Sequence, residues 1–597
     1  MKSLKYVFLA MVVAALLVIP AAAQQSDQKA ATSPLVQLLK SRGVLTAEDV
    51  RQLGEATSAE DANERLARLL VQKGVISTED YSQTVVADDA SANAGRFVNA
   101  AVHTSPMYAY SDADGSGSPD QEPVSFKFKG ITLTPGGFFS GQTTWRQRAI
   151  SSGSATPFNS IPFSTSNLGN IGEFNTDARQ SLFNFLAEGH LGGTRIRGYF
   201  ESDFNSAGVT SNNNATNGYT LRIRQAWGQA AFDNGWTITV GQMWSLVTAE
   251  RQGIEPLAEI IPYVIDSGYV AGFPYARQEG FRVSKSFLDK KLFFALSVEN
   301  PELNSVAGPA CTAGSCLYGA VGNTTGLFNT VTTGVEAQNY SFNASPDFIF
   351  KLALEPGFGH WEVFGLVNTF HERFYPCFDA SDEAPCAINA LIVTPSSFGA
   401  NNRTTTGGGV GANGYFSLFN KHLDVNASFM GGNGIGRYGG TTGFSDVVFN
   451  ADQELVALRN YRGYGGLIWH VTPKLDIYGY AGGEYLQRSH NYGQDDGAPI
   501  ALNAECFTEA LPASDVSPGG TCNAVTRDII EGVGGFWYKF FTGSIGRMQA
   551  GVQYSYITRA TWAGTTTTTT DDTSTTSSFA PHAVENMIMT SFRYYLP

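Results

Sequence analysis

From about residue 124 onward, apolar and polar positions alternate with a period of two in runs of roughly 9 to 15 residues, the length a tilted strand needs to cross a bilayer. Short turns join these runs in pairs, at Gly192-Gly193, Asp233-Asn234-Gly235, 288–291, 357–359, Asn420-Lys421, 472–474 and 542–544. Longer polar connections fall near 149–177, 206–218, 244–275, 300–337, 373–404, 431–454, 487–526 and 559–581. Seven short turns and eight long loops predict sixteen strands, with both barrel ends on the short-turn side. The expected fold is all-β: a transmembrane antiparallel 16-stranded β-barrel over 124–597. Short turns belong to the periplasmic side of the outer membrane and long loops to the cell exterior.

The alternation also assigns faces. Arg195, Arg197, Tyr199, Glu201 and Asp203 share one parity, and Ile196, Gly198 and Phe200 the other. Arg222 and Arg224 alternate with Leu221 and Ile223. The charged parity must face water and the apolar parity lipid. By the same count Trp145 and Trp227 fall on the lipid parity, as interface-belt residues. The last run, from Met587, carries Phe592, Tyr594 and Leu596 on one face and ends in Pro597, where barrels usually end in Phe.

The N-terminal part differs in kind. Residues 1–23 read as a secretory signal: Lys2 and Lys5, an apolar stretch from Val7 to Ile19, then Ala21-Ala22-Ala23. Over 33–86 a pattern recurs. Leu35, Leu38 and Leu39 return as Leu66, Leu69 and Leu70, and Gly43-Val44-Leu45-Thr46 returns as Gly74-Val75-Ile76-Ser77. Gly43 and Gly74 suit helix C-caps, and Thr46 and Ser77 suit the next N-caps. The expected element is a small periplasmic helix-turn-helix repeat, too small to bury a core alone and therefore in need of a partner or its own copies. Residues 87–122, rich in Ala, Ser, Asp, Gly and Pro, read as a flexible linker.

Composition agrees with a barrel: 15% of residues are charged, 12% are aromatic, and Gly numbers 65. A net charge of −14 argues against a nucleic-acid partner. Six cysteines form three local pairs, Cys311/Cys316, Cys377/Cys386 and Cys506/Cys522, each within one long loop, which suggests three disulfides made in an oxidising compartment. A metal site is the weaker alternative, since no histidine clusters near any pair. Gly-x-Ser-x-Gly, His-Glu-x-x-His and the phosphate-cradling Gly-rich loop are missing, so neither an enzyme nor a cofactor is expected.

The region 131–284 holds ten arginines and no lysine. Arg146, Arg148, Arg195, Arg197, Arg222 and Arg224 are expected to form a basic ladder along one lumen wall, guiding anions without trapping them. The alternative is a salt-bridge lattice neutralised by Glu201, Asp203 and nearby acids. The loop 244–275 carries Glu250, Glu255, Glu259 and Asp266 around an apolar Ile260-Ile261-Pro262-Tyr263 stretch. Apolar content in a loop suggests that it folds inward and narrows the pore, setting an acidic constriction against the arginines. Otherwise it covers a neighbouring subunit.

Three stretches, Gly198–Phe204, Leu221–Gly228 and Val240–Ser245, resemble the DcaP-like outer-membrane porins, and the similarity is good over about 120–290. The resemblance implies trimeric sixteen-stranded barrels with an N-terminal periplasmic helical extension and a preference for small dicarboxylates and other anions. The expected function is passive diffusion of small hydrophilic solutes through a homotrimer in outer-membrane lipid. The competing expectation is a non-conducting barrel that serves as adhesin or envelope tether.

Overall fold

The computed structural model describes residues 125–597 apart from stretches of the long loops, chiefly 206–219, 308–315, 319–342, 378–386, 393–398 and 489–524, together with Thr46 and Asp49. Sixteen long strands follow one another. They are β1 (Ile131–Arg146), β2 (Leu182–Leu191), β3 (Thr194–Asp203), β4 (Arg222–Phe232), β5 (Trp236–Trp244), β6 (Arg277–Phe287), β7 (Leu292–Glu299) and β8 (Asp347–Leu354). The second half comprises β9 (His360–Phe374), β10 (Asn401–Leu418), β11 (Leu423–Asn433), β12 (Arg459–Thr472), β13 (Leu475–Leu486), β14 (Thr526–Gly543), β15 (Gly546–Thr561) and β16 (His582–Tyr595). Each pairs antiparallel with the next, and β16 returns to β1 over Phe138↔Tyr595 to Arg146↔Met587. The sheet is therefore a closed 16-stranded barrel. Closure matters because lipid offers no hydrogen bonds to an open strand edge.

The predicted turns and loops coincide with the strand ends. Several turns use left-handed backbone: Gly192 has φ 60°, and the run Leu288, Asp289 and Lys290 has φ 51°, 52° and 64°. β1 contains Pro135, which cannot donate to a ladder. It is tolerated because Ile131–Phe138 pairs with β2, while pairing with β16 begins only at Phe138.

The strands turn the usual hydrophobic pattern inside out. Along β8, Phe348, Phe350, Leu352 and Leu354 are exposed on the outer face, and Asp347, Ile349, Lys351 and Ala353 are buried inside. An outer apolar face is what a lipid-spanning strand requires. Trp145 lies on that face, opposite Ile588 and Phe174.

Trp227 does not. On β3 the neighbours Glu201 and Ser202 pair with Gln225 and Ile223 on β4, leaving Arg224 as an extra residue in a β-bulge. One inserted residue flips the parity of everything beyond it. Arg224 and Gln225 both face inward, and Trp227 is buried inside against Leu186, Tyr199 and Met243. The expectation of a lipid-facing Trp227 is corrected by that single bulge.

Of the N-terminal unit, only Thr46 and Asp49 are described. The Thr46 backbone N–H donates to Asp49 Oδ2 (2.7 Å), and the Asp49 N–H donates to Thr46 Oγ1 (3.2 Å), the reciprocal pairing of a helix capping box. The signal segment, the rest of the repeat and the linker lie outside the described residues. Cys377 is buried and disulfide-bonded; Cys311, Cys386, Cys506 and Cys522 lie outside the described residues, as does the side chain of Cys316.

An apolar core sits inside the cylinder. Phe158 and Ile161 of the first long loop and Ile265, Val270 and Phe273 of the third pack against Tyr464, Tyr478, Trp537 and Met587 on the walls. Trp537 is fully buried, and its Nε1 donates to the Tyr263 carbonyl (3.3 Å). Trp537→Ala is expected to lower stability by about 3–5 kcal/mol, read by denaturant unfolding in lipid vesicles; a loss under about 1 kcal/mol would remove it from the core.

Candidate functional site: the barrel interior and its inward loop

The third long loop, 245–276, leaves β5 and turns into the barrel. Its near end is held by ion pairs and hydrogen bonds from β7 to β10. Lys351 Nζ contacts Glu250 Oε2, lies 3.0 Å from Glu362 Oε2, and donates to the Thr248 carbonyl (2.6 Å). Glu362 also accepts from the Glu250 backbone N–H (2.9 Å) and from Asn413 Nδ2 (2.6 Å), and meets His360 Nε2 at 2.8 Å. Glu299 accepts from the Leu246 N–H (3.0 Å). All of these side chains are buried, so each charge needs its partners.

The far end reaches β13, halfway around the ring. The Tyr263 N–H donates to Tyr480 Oη (2.9 Å), and Tyr263 Oη donates to Asp476 Oδ2 (3.1 Å). Beyond it, Ala271 donates to Glu531 (2.9 Å), and Gly272 donates to Glu484 (3.3 Å). Gly272 has φ +87°, and a Cβ there would lie 2.2 Å from the Gly463 carbonyl oxygen. Only glycine lets the loop lie against the wall at that point.

The four loop acids therefore do different jobs. Glu250 pairs with Lys351, not with an arginine. Glu255 accepts from Gln229 Nε2 (2.8 Å) and Ser284 Oγ (2.5 Å), and Gln229 Oε1 in turn accepts from Arg197 Nε (2.8 Å). Asp266 closes a local turn, accepting from the N–H groups of Gly268 (2.6 Å) and Thr156 (3.0 Å). Burial pushes its carboxyl up, against the lowering pull of those bonds and of Arg146. Glu259 accepts from the Leu257 N–H (2.9 Å), while its Oε1 is buried with no hydrogen-bond partner among the described residues. Burial pushes the Glu259 carboxyl up to about 7.

The six arginines divide as well. Arg146 is fully buried, bound to the carbonyls of Ser152 (2.7 Å) and Gly153 (2.8 Å) and to Glu173 (2.8 Å). Arg148 donates to the carbonyls of Val584 (2.9 Å) and Gly169 (2.8 Å). These two hold the first long loop. Arg222 grips Asp203 with two bonds (3.0 and 2.7 Å), and buried Arg224 joins Glu201 (2.6 Å) to Asp203 (3.0 Å). That is the neutralised lattice weighed against the open ladder. Arg195 is exposed and Arg197 half-buried at the short-turn end.

Several charged interior residues were not picked out from the sequence: Lys351, His360, Glu362, Asp476, Glu484 and Glu531. Lys351 had a usable signal, a single charge inside the otherwise apolar run Phe348–Leu354. Arg277 is a further wall residue, stacked over Trp244 (5.1 Å) and Tyr275 (5.6 Å), with its Nη2 donating to Tyr275 Oη (3.0 Å).

Neither a family model nor a curated protein matches the chain. The solved structures it resembles are outer-membrane channels and porins. The outer membrane channel DcaP of Acinetobacter baumannii is 14% identical, covering 79% of this chain and 100% of that one, with a TM-score of 0.49. An anion-selective porin from Comamonas acidovorans is 7% identical over 78% and 100%, with a TM-score of 0.39. Salmonella typhi OmpF is 9% identical over 79% and 100%, with a TM-score of 0.39. At these identities and scores the likenesses do not bear on function.

The lattice and the short-turn arginines are expected to respond differently to mutation. Asp203→Ala removes the carboxylate that half-buried Arg222 and buried Arg224 share, leaving Arg224 with Glu201, and should cost about 3 kcal/mol in vesicle unfolding, whereas Arg195→Ala should stay within about 0.5 kcal/mol. Equal costs would contradict the division.

Proposed function

We propose that the protein is an outer-membrane diffusion channel for small hydrophilic solutes, working as a homotrimer, with a bias toward anions such as dicarboxylates. The observation that carries the reading is the inward loop: a closed barrel with a polar wall holds a loop across its bore, the usual way a wide cylinder is narrowed to a selective passage. Arg222, 17% exposed, and Arg277 stand at the long-loop mouth, and Arg195 and Arg197 at the short-turn mouth. Outside the Arg222–Asp203–Arg224 lattice, Arg277 at one end and Arg195 and Arg197 at the other offer cations to the passage. Between them Arg197, Gln229 and Glu255 bridge wall to loop, placing opposite charges across the route. Guanidinium groups suit carboxylates because their planar forks pair bidentately and never lose their charge. The helical repeat would face the periplasm and a partner there.

The packed interior favours one competing reading, a barrel that does not conduct and acts as adhesin or envelope tether. Planar-bilayer recording separates the two. Stepwise currents with a reversal potential favouring anions are expected, and Arg195→Ala with Arg197→Ala should reduce that preference. No steps would remove the channel reading. Steps favouring cations, unchanged in the double variant, would remove the anion bias.

The protonation state of Glu259 gives a second test. Its carboxyl is neutral below about 7 and gains a negative charge above it. Because its value in the folded loop is raised, the folded loop is favoured at low pH, and that advantage is lost as pH rises through about 7. Anion preference is expected to fall as pH rises from about 6 to about 8, and Glu259→Gln should flatten the profile. An identical profile in the variant would assign the titration elsewhere.

A further inference from the structure

A second feature lies on the outside of the barrel. Four consecutive strands, β11 to β14, place Phe429, Gly463, Gly483 and Ile530 in one register row, with Gly431, Tyr461, Tyr485 and Asp528 in the next row toward the long loops. Phe429, Tyr461, Tyr485 and Ile530 are all exposed on the outer face, and the two glycines between them present bare backbone. The result is a cavity of about 340 Å³ with a glycine floor and apolar walls. Gly272 of the inward loop lies against the carbonyls of the same Gly463 and Gly483 from inside.

Guanidinium groups crown this notch. Arg459, two residues above Tyr461 on the same parity, is exposed, and its Nε donates to Asn433 (3.0 Å). Arg488 and Arg527 stack over Trp562 at 5.5 and 5.7 Å, and the Trp562 ring in turn meets Tyr485 at 6.0 Å. Arg527 also pairs with Asp528 at 2.5 Å, so among the described residues the rim sets three guanidinium groups beside one carboxylate. Apolar walls within the membrane zone, aromatic rings above them and arginines at the top reproduce the layering of an anionic lipid: acyl chain, interface, phosphate.

We propose that this notch binds one acyl chain of a phosphorylated outer-leaflet lipid, with Arg459 and Arg527 taking its phosphate. The site depends on the barrel lying in a membrane and is independent of whether the bore conducts. A second copy of the chain is the other conceivable cover, but a stable protein interface needs about 800 Å² from each partner, far beyond one notch, and nothing in the arginine rim calls for it.

Native mass spectrometry of the full-length protein in detergent, titrated with bisphosphorylated lipid A or its dephosphorylated form, tests this. The phosphorylated lipid is expected to bind more tightly. Arg459→Gln with Arg527→Gln should weaken it by roughly 30-fold while leaving the dephosphorylated form little changed. Ile530→Trp, which fills the notch and keeps the arginines, should weaken both lipids, with folding of each variant checked by circular dichroism. Equal affinity in the wild type and both variants would overturn the proposal. Unchanged lipid retention with a dissociated oligomer in Ile530→Trp would also overturn it, assigning the notch to a second copy.

Discussion

Closure of the hydrogen-bonded sheet is the constraint on which everything else depends. Once β16 pairs with β1, no strand edge is left for lipid to leave unsatisfied, and the chain acquires an inside and an outside. The period-two pattern then has a fixed meaning: one parity meets lipid, and the other must be satisfied within a cylinder. Here the inner parity is satisfied less by water than by the chain itself. The first and third long loops fold in and bring apolar side chains with them, and buried ion pairs fasten them to the wall. A residue such as Lys351, lethal to a strand on the outer face, is in place inside because two carboxylates and a carbonyl receive it.

The inward loop divides the interior unevenly. Toward β12 to β16 its contacts are mostly tyrosine, tryptophan and aliphatic side chains, which pack tightly and exclude water. Toward β3 to β6 the contacts include Arg197, Gln229 and Ser284 as well as an apolar patch in which Leu257 packs against Tyr199, Trp227 and Met243. The same glycines of β12 and β13 that admit the loop on the inside leave the outer wall thin and recessed. One sequence feature serves two faces because a β-wall is a single peptide layer.

Much of this was legible in the sequence. Turn chemistry and alternation carried the strand count and the order of short and long connections, and the apolar stretch Ile260-Ile261-Pro262-Tyr263 carried the inward tendency of 244–275, because each is a local property. The side of Trp227 was not legible, since the bulge at Arg224 comes from pairing with β3 and leaves no mark on β4 alone. The ladder was legible as composition only. Whether an arginine is free or bound depends on which acid lies across the strand pair, as Asp203 does for Arg222, or which loop carbonyl returns to it, as Gly169 does for Arg148. Lys351 stands out as a lone charge in an apolar run, but Glu362 and Glu531 carry no such mark, and their role as anchors depends on the path of the loop.

Residues 245–276 lie across the bore, and on the proposed reading they set the width of the passage. The most direct measurement is single-channel conductance after residues 250–272 are replaced by a short Gly-Ser link, with folding of the barrel confirmed separately. A severalfold larger conductance is the expected result. A folded barrel whose conductance equals that of the intact chain would contradict the claim.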